Sequence, residues 1–131
     1  MTPVVAAFTC ARCGGRASTL SLLGPDDPDP RDPGSAFPTG LIRLSIDGPI
    51  GVTHGLVGSM AARADALSVA LRAGDAEAVH AIDFEYAPFW CPTCAASYCA
   101  ACLVIRVDMD EGFYDATQAR CPRGHERMID D

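Results

Sequence analysis

The chain has 131 residues, with ten basic and seventeen acidic side chains and a formal charge of −7. That length suits one domain, residues 1–131, and is too short for two ordinary ones. A body this acidic repels phosphate backbones, so no nucleic acid is expected as a partner.

Hydrophobic residues make up 49 % of the chain but aromatics only 7 %, so the core is expected to be thin and bound metal to supply part of the stability. All ten basic residues are arginine, and asparagine is also missing. Both absent residues use A-rich codons, which points to a GC-rich bacterial genome. No segment is long enough to span a membrane. The start carries no basic region before its short apolar run. A cytoplasmic location is therefore expected, where paired cysteines signal metal more often than disulfides.

In chain order, residues 3–8 read as a strand leading into Cys10-Ala11-Arg12-Cys13-Gly14-Gly15. Two cysteines on such a turn can face one ion, and the glycines supply the backbone freedom it needs. Residues 16–23 are the return strand. Residues 24–38 hold five prolines and four aspartates and read as an acidic, flexible, solvated loop. Residues 41–46 and 50–54 are strands around the Gly48-Pro49 turn.

Residues 58–73 read as a helix with Leu67, Ala70 and Leu71 on one face. Gly74 ends it, and Asp75 caps a second helix carrying Ala78, Val79 and Ile82. This helical pair is expected to form the body of the core. His54 and His80 have no visible partner and read as ordinary structural residues.

The segment 84–127 is the main metal-binding region. Residues 103–107 form a strand, 108–112 turn it, and 113–117 pair back. Seven cysteines and one histidine fall into four close pairs: Cys10/Cys13, Cys91/Cys94, Cys99/Cys102 and Cys121/His125. Eight soft or borderline donors in four chelating pairs match two four-coordinate zinc ions.

Four residues separate Cys94 from Cys99, too few for both central pairs to fold back onto one ion. Each central pair should then share an ion with a distant pair. A crossed scheme joins Cys10, Cys13, Cys99 and Cys102, and separately Cys91, Cys94, Cys121 and His125. A sequential scheme joins Cys10/Cys13 with Cys91/Cys94, and Cys99/Cys102 with Cys121/His125. Spacing allows both; the crossed scheme is preferred because it interlocks the two ends of the chain.

A closed shell of four protein donors is structural, since a catalytic zinc keeps a position for water. Glu126, beside His125, then has no metal-bound water to activate. Trp90 before Cys91-Pro92-Thr93-Cys94 brings a thioredoxin-type redox site to mind, but that chemistry needs a long helix after the pair, and another chelating pair follows here. Arg120, Arg123 and Arg127 surround the last pair and are read as neutralising its thiolates rather than binding phosphate. With every cysteine on metal, no catalytic residue is expected.

The run Cys91-Pro-x-Cys94-x4-Cys99-x2-Cys102, with Cys121-Pro122 opening the last pair, resembles RING and in-between-RING zinc modules. The insert between Cys13 and Cys91 is longer than in a RING, and the last pair ends in Cys-x3-His. The resemblance implies binding of a ubiquitin-conjugating enzyme and ligase activity without a catalytic residue. The expected fold is α+β, a small domain of short β-hairpins and a helical pair stapled by two structural zinc sites, RING-like or treble-clef-like.

The expected role is a non-enzymatic zinc-binding interaction module, a bacterial adaptor or accessory protein with a protein partner. A RING-like ubiquitin ligase is the alternative; a thiol–disulfide oxidoreductase and a nucleic-acid-binding module are weaker ones. The contact surface is expected at Phe89, Trp90, Pro92, Tyr98 and Leu103. The competing reading packs these residues between the two zinc sites as a small core.

Overall fold

The computed structural model describes residues 2–31, 40–58 and 61–131. Among them, nine strands form three antiparallel sheets, accompanied by two α-helices, in one small α+β domain. The first sheet is a meander of β1 (Val4–Thr9), β2 (Arg16–Leu23), β3 (Ile42–Gly48) and β4 (Gly51–Gly58), ordered β1-β2-β3-β4.

Strand alternation sorts its two faces. Val4, Ala6, Leu20, Leu22, Leu44 and Ile46 lie in register across one face and are all buried. Helices α1 (Ala61–Arg72) and α2 (Ala76–Ile82) pack beside them, with Leu67, Ala70, Leu71 and Val79 buried in the same cluster. The core is thus centred on the sheet, and the helical pair covers it rather than forming its body. A chain reversal joins the helices. The N–H of Asp75 bonds the Ala70 carbonyl and that of Gly74 the Leu71 carbonyl, a Schellman closure. The Asp75 carboxylate then accepts from the Ala78 N–H at 3.0 Å and caps α2.

The opposite face of the sheet is polar, yet Thr19, Ser21, Arg43 and Ser45 on it are buried. Part of the acidic Pro-rich segment covers them. Arg43 donates to the carbonyls of Gly24 and Asp27. Asp29 is buried and meets His54 Nε2 at 2.7 Å. Residues 24–31 are therefore docked on the sheet by buried polar contacts, and His54 has a definite partner. The remainder of the expected loop, 32–38, lies outside the described residues.

A 3₁₀ turn, Phe84–Tyr86, leads from α2 to the metal-binding segment. The short hairpin β5 (Trp90–Cys91) and β6 (Ala96–Ser97) follows, then a second 3₁₀ turn, Ala100–Cys102. The third sheet consists of β7 (Val104–Asp110), β8 (Phe113–Arg120) and β9 (Glu126–Asp130). The β7–β8 hairpin is longer than expected. Its turn is only Glu111-Gly112, at φ of 50° and 85°, as a two-residue type I′ turn requires. Phe8 stacks on Phe89 with centroids 4.9 Å apart, which joins the first sheet to the metal-binding segment.

Candidate metal centres

Three of the four chelating pairs sit on hairpin turns. Between β1 and β2, the Cys10 N–H bonds the Gly15 carbonyl at 2.7 Å and the Gly14 N–H bonds the Cys10 carbonyl at 3.0 Å. Between β8 and β9, the Cys121 N–H bonds the His125 carbonyl at 3.0 Å and the Gly124 N–H bonds the Cys121 carbonyl at 2.9 Å. Gly14 and Gly124 have φ of 76° and 89°, conformations that cost a side chain energy. Each turn also aims an N–H at sulfur: Gly15 at Cys13 and His125 at Cys121, both 3.4 Å away. Between β5 and β6, Ala95 takes the left-handed position at φ 50°. The fourth pair caps and closes the 3₁₀ turn, with the Cys102 N–H bonded to the Cys99 carbonyl.

The fold brings the pairs together in the crossed arrangement. Cys10, Cys13, Cys99 and Cys102 form one cluster, and Cys91, Cys94, Cys121 and His125 the other, with the donor atoms of each within 4.8 Å of one another. The Ala11 N–H reaches the Ser97 carbonyl at 2.8 Å and locks the first knuckle against the β5–β6 hairpin.

Distances test whether a metal fits. Two sulfurs bound tetrahedrally at ~2.3 Å from zinc lie about 3.8 Å apart, and a sulfur and a nitrogen about 3.5 Å. Cys13 and Cys99 sulfurs are 3.6 Å apart, and those of Cys94 and Cys121 are 3.7 Å apart. His125 Nδ1 lies 3.8, 3.2 and 3.4 Å from the sulfurs of Cys91, Cys94 and Cys121. These spacings are close to those of a tetrahedral shell. A disulfide needs about 2.05 Å, and all seven cysteines are free.

The electrostatics also call for a cation. Burial pushes the Cys10 thiol up, but N–H groups of Cys13, Cys99 and Arg12 outweigh it and bring it down to about 6. In the same cluster, burial and the neighbouring Cys99, Cys10 and Cys13 sulfurs push Cys102 up to about 12. Cys121 is likewise brought to about 6, its burial outweighed by N–H groups of His125 and Arg123 and by the Cys94 and Cys91 thiols. Burial raises Cys91. Thiols this close, four in one cluster and three in the other, cannot all ionise together unless a positive charge sits among them. A raised Cys91 followed by β6 rather than a helix is also the reverse of an activated redox cysteine.

Among the three arginines near the last pair, Arg127 makes the buried contacts. Its Nε donates to the Trp90 carbonyl at 2.7 Å and its Nη2 to that of Pro88 at 3.3 Å. Arg120 and Arg123 remain exposed. His80 is half-buried, and burial with the nearby Arg127 charge lowers its pKa.

The expected contact surface is not a surface. Phe89, Trp90, Tyr98 and Leu103 are buried, leaving Pro92 exposed. They pack with Phe8, Cys91, Cys99 and Cys121 in one continuous core. The physical reason is scarcity: a chain with few large apolar groups uses them to fill the space between its two donor clusters.

The family model described as Domain of unknown function (DUF8328) matches residues 2–131. The chain belongs to that family. No curated protein and no solved structure matches it. No helix of the described residues is long and apolar enough to cross a membrane.

Proposed function

We propose that the two clusters hold two structural zinc ions, and that the chain is a non-enzymatic, zinc-stapled interaction module. One observation carries the metal reading: each cluster gathers four protein donors within 4.8 Å of one another, drawn from segments far apart in sequence. Thiolate-rich four-donor sets suit zinc or iron–sulfur chemistry, and a single His Nδ1 among three sulfurs favours zinc. Bound zinc would supply folding free energy, with no position left for a reacting water. Free thiols held by metal suit a reducing compartment.

The interaction role rests on the β7–β8 hairpin. Val107, Met109 and Tyr114 are exposed on one face of it and Phe113 on the other, a local concentration of large apolar groups at the hairpin's end. The alternative of a RING-like ubiquitin ligase would use the surface expected at Phe89, Trp90, Tyr98 and Leu103; with these buried, the cysteine spacing is what supports it.

A paired Met109→Ser and Phe113→Ser variant tests the contact surface. Chemical crosslinking of the tagged protein in an extract of its source cells should lose its protein–protein products while metal content stays unchanged. Undiminished crosslinking in the variant would remove the hairpin from the proposal.

A further inference from the structure

Strand β7 lies at the open edge of the third sheet. Among the described residues, no other segment pairs with its outer side. The ladder irregularity near Asp108/Met109 leaves Asp115 as the extra residue on β8, so β7 itself stays regular. Proteins usually blunt such an edge, because its unpaired N–H and C=O groups are a template for another strand. Here the edge also carries side chains that complement one another.

The strand reads Val104-Ile105-Arg106-Val107-Asp108-Met109-Asp110. Laid antiparallel on a copy of itself with Val107 on the twofold axis, Arg106 faces Asp108 of the second copy. Ile105 faces Met109, and Val107 faces Val107. Shifting the axis to Arg106 opposes two arginines; shifting it to Asp108 opposes two aspartates. Shifts that place the axis between residues set charged side chains against apolar ones. The Val107 register alone aligns both the charges and the apolar row.

Backbone geometry agrees with that register. In a ladder closed by a two-residue turn, the closing pair, Asp110 and Phe113, exchanges bonds, and alternate residues turn outward. Ile105, Val107 and Met109 then offer their N–H and C=O groups to the open side. Val107 and Met109 are 55 % and 59 % exposed. Arg106 lies 2.8 Å from Asp108 of its own strand and is paired also with Glu126 on β9, so pairing with Asp108 of the second copy exchanges an exposed contact within the chain for one between chains.

We propose that β7 pairs antiparallel with β7 of a second copy of this chain, making a twofold dimer with a continuous six-stranded sheet. This deepens the interaction-module reading by naming the partner. Its test reads mass, not metal content, so failure of either part is seen separately.

Sedimentation equilibrium of the zinc-supplied protein should give twice the chain mass at high concentration and dissociate on dilution. Val107→Pro removes an outward N–H without touching the β8 ladder and should give the single-chain mass. Arg106→Asp sets aspartates against each other and should do the same. Adding Asp108→Arg to Arg106→Asp swaps the charges in both copies and should restore the doubled mass. The swap covers the case in which the proline variant does not fold. A wild-type protein of single-chain mass at all concentrations would overturn the proposal, including the outcome that β7 takes a strand from a different protein. A dimer unaffected by Arg106→Asp would place the contact elsewhere and overturn it as well.

Discussion

His125 Nδ1 lies 3.2 Å from the Cys94 sulfur, although the two stand 31 positions apart in the chain. That contact closes the β8–β9 knuckle onto the β5–β6 hairpin. The first knuckle closes onto the Cys99–Cys102 turn in the same way, through Cys13 and Cys99. The two closures are crossed in sequence, so neither end of the chain can leave without opening a donor cluster.

Crossed pairing predicts which substitutions share an effect. Cys10→Ser and Cys99→Ser should weaken the same ion, and Cys91→Ser and Cys121→Ser the other. Cobalt substitution reads this directly. The site surviving in Cys91→Ser should show an all-sulfur spectrum, and the site surviving in Cys10→Ser a three-sulfur, one-nitrogen spectrum. Identical surviving spectra in these two variants would contradict the pairing.

Arg127 bridges β9 to the carbonyls of Trp90 and Pro88. Replacement by leucine leaves both carbonyls without this donor and removes a positive charge beside Cys91, Cys121 and Cys94. The expected loss is about 1.5–3 kcal/mol, the range for bonds to a charged donor. Denaturant unfolding of the metal-saturated protein measures it. Arg127→Lys should recover only part, because an ammonium lacks the planar fork that reaches two carbonyls.

Some features were legible in the sequence for local reasons. The knuckles follow from cysteine spacing and glycine, the Gly74–Asp75 reversal from cap chemistry, and β1 and β2 from apolar runs bounded by Cys10 and Cys13. Other features depend on partners far away. The strand read at residues 50–54 continues to Gly58, where pairing with β3 carries the chain through Gly55. Strand β7 was expected to end at Val107, because Asp108 to Gly112 read as turn residues. Strand β9 carries no local signal, because Glu126, Arg127 and Asp130 make a short charged segment whose strand form depends on pairing with β8. The docking of Asp29 on His54 was hidden for the same reason: local composition reports solvation, not a partner 25 residues away.

Gly55 has a spatial role. A Cβ there would lie 2.4 Å from the Tyr86 ring. That ring is fixed by its hydroxyl donating to the Leu56 carbonyl at 2.8 Å and by Arg63 over its face. Gly55→Ala should therefore cost about 1–3 kcal/mol, as overpacking does. Combining it with Tyr86→Leu should be less damaging than the sum of the two single variants. Thermal or denaturant melts of the four proteins give the comparison, and simple additivity would show that the ring is free to move.

Acid should weaken the Asp29–His54 attachment. Burial pushes the Asp29 carboxyl up, but the Arg31 N–H and His54 together with its other polar contacts hold it below the ordinary value. A carboxyl depressed in the folded state stabilises fully above its unfolded value of about 4 and loses that contribution as pH falls through the folded value. The stability difference between wild type and Asp29→Asn should thus be largest above that range and shrink below it. Subtracting the variant removes the acid sensitivity of the metal sites. A difference that stays constant through the acid range would contradict the assignment.

The central claim is that two closed, four-donor sites each hold a structural zinc ion. Native mass spectrometry of the purified protein, followed by a thiol count after denaturation and chelation, tests it most directly. The account predicts two zinc ions per chain and seven recoverable thiols. One ion or none, or a disulfide between Cys91 and Cys94, would contradict it.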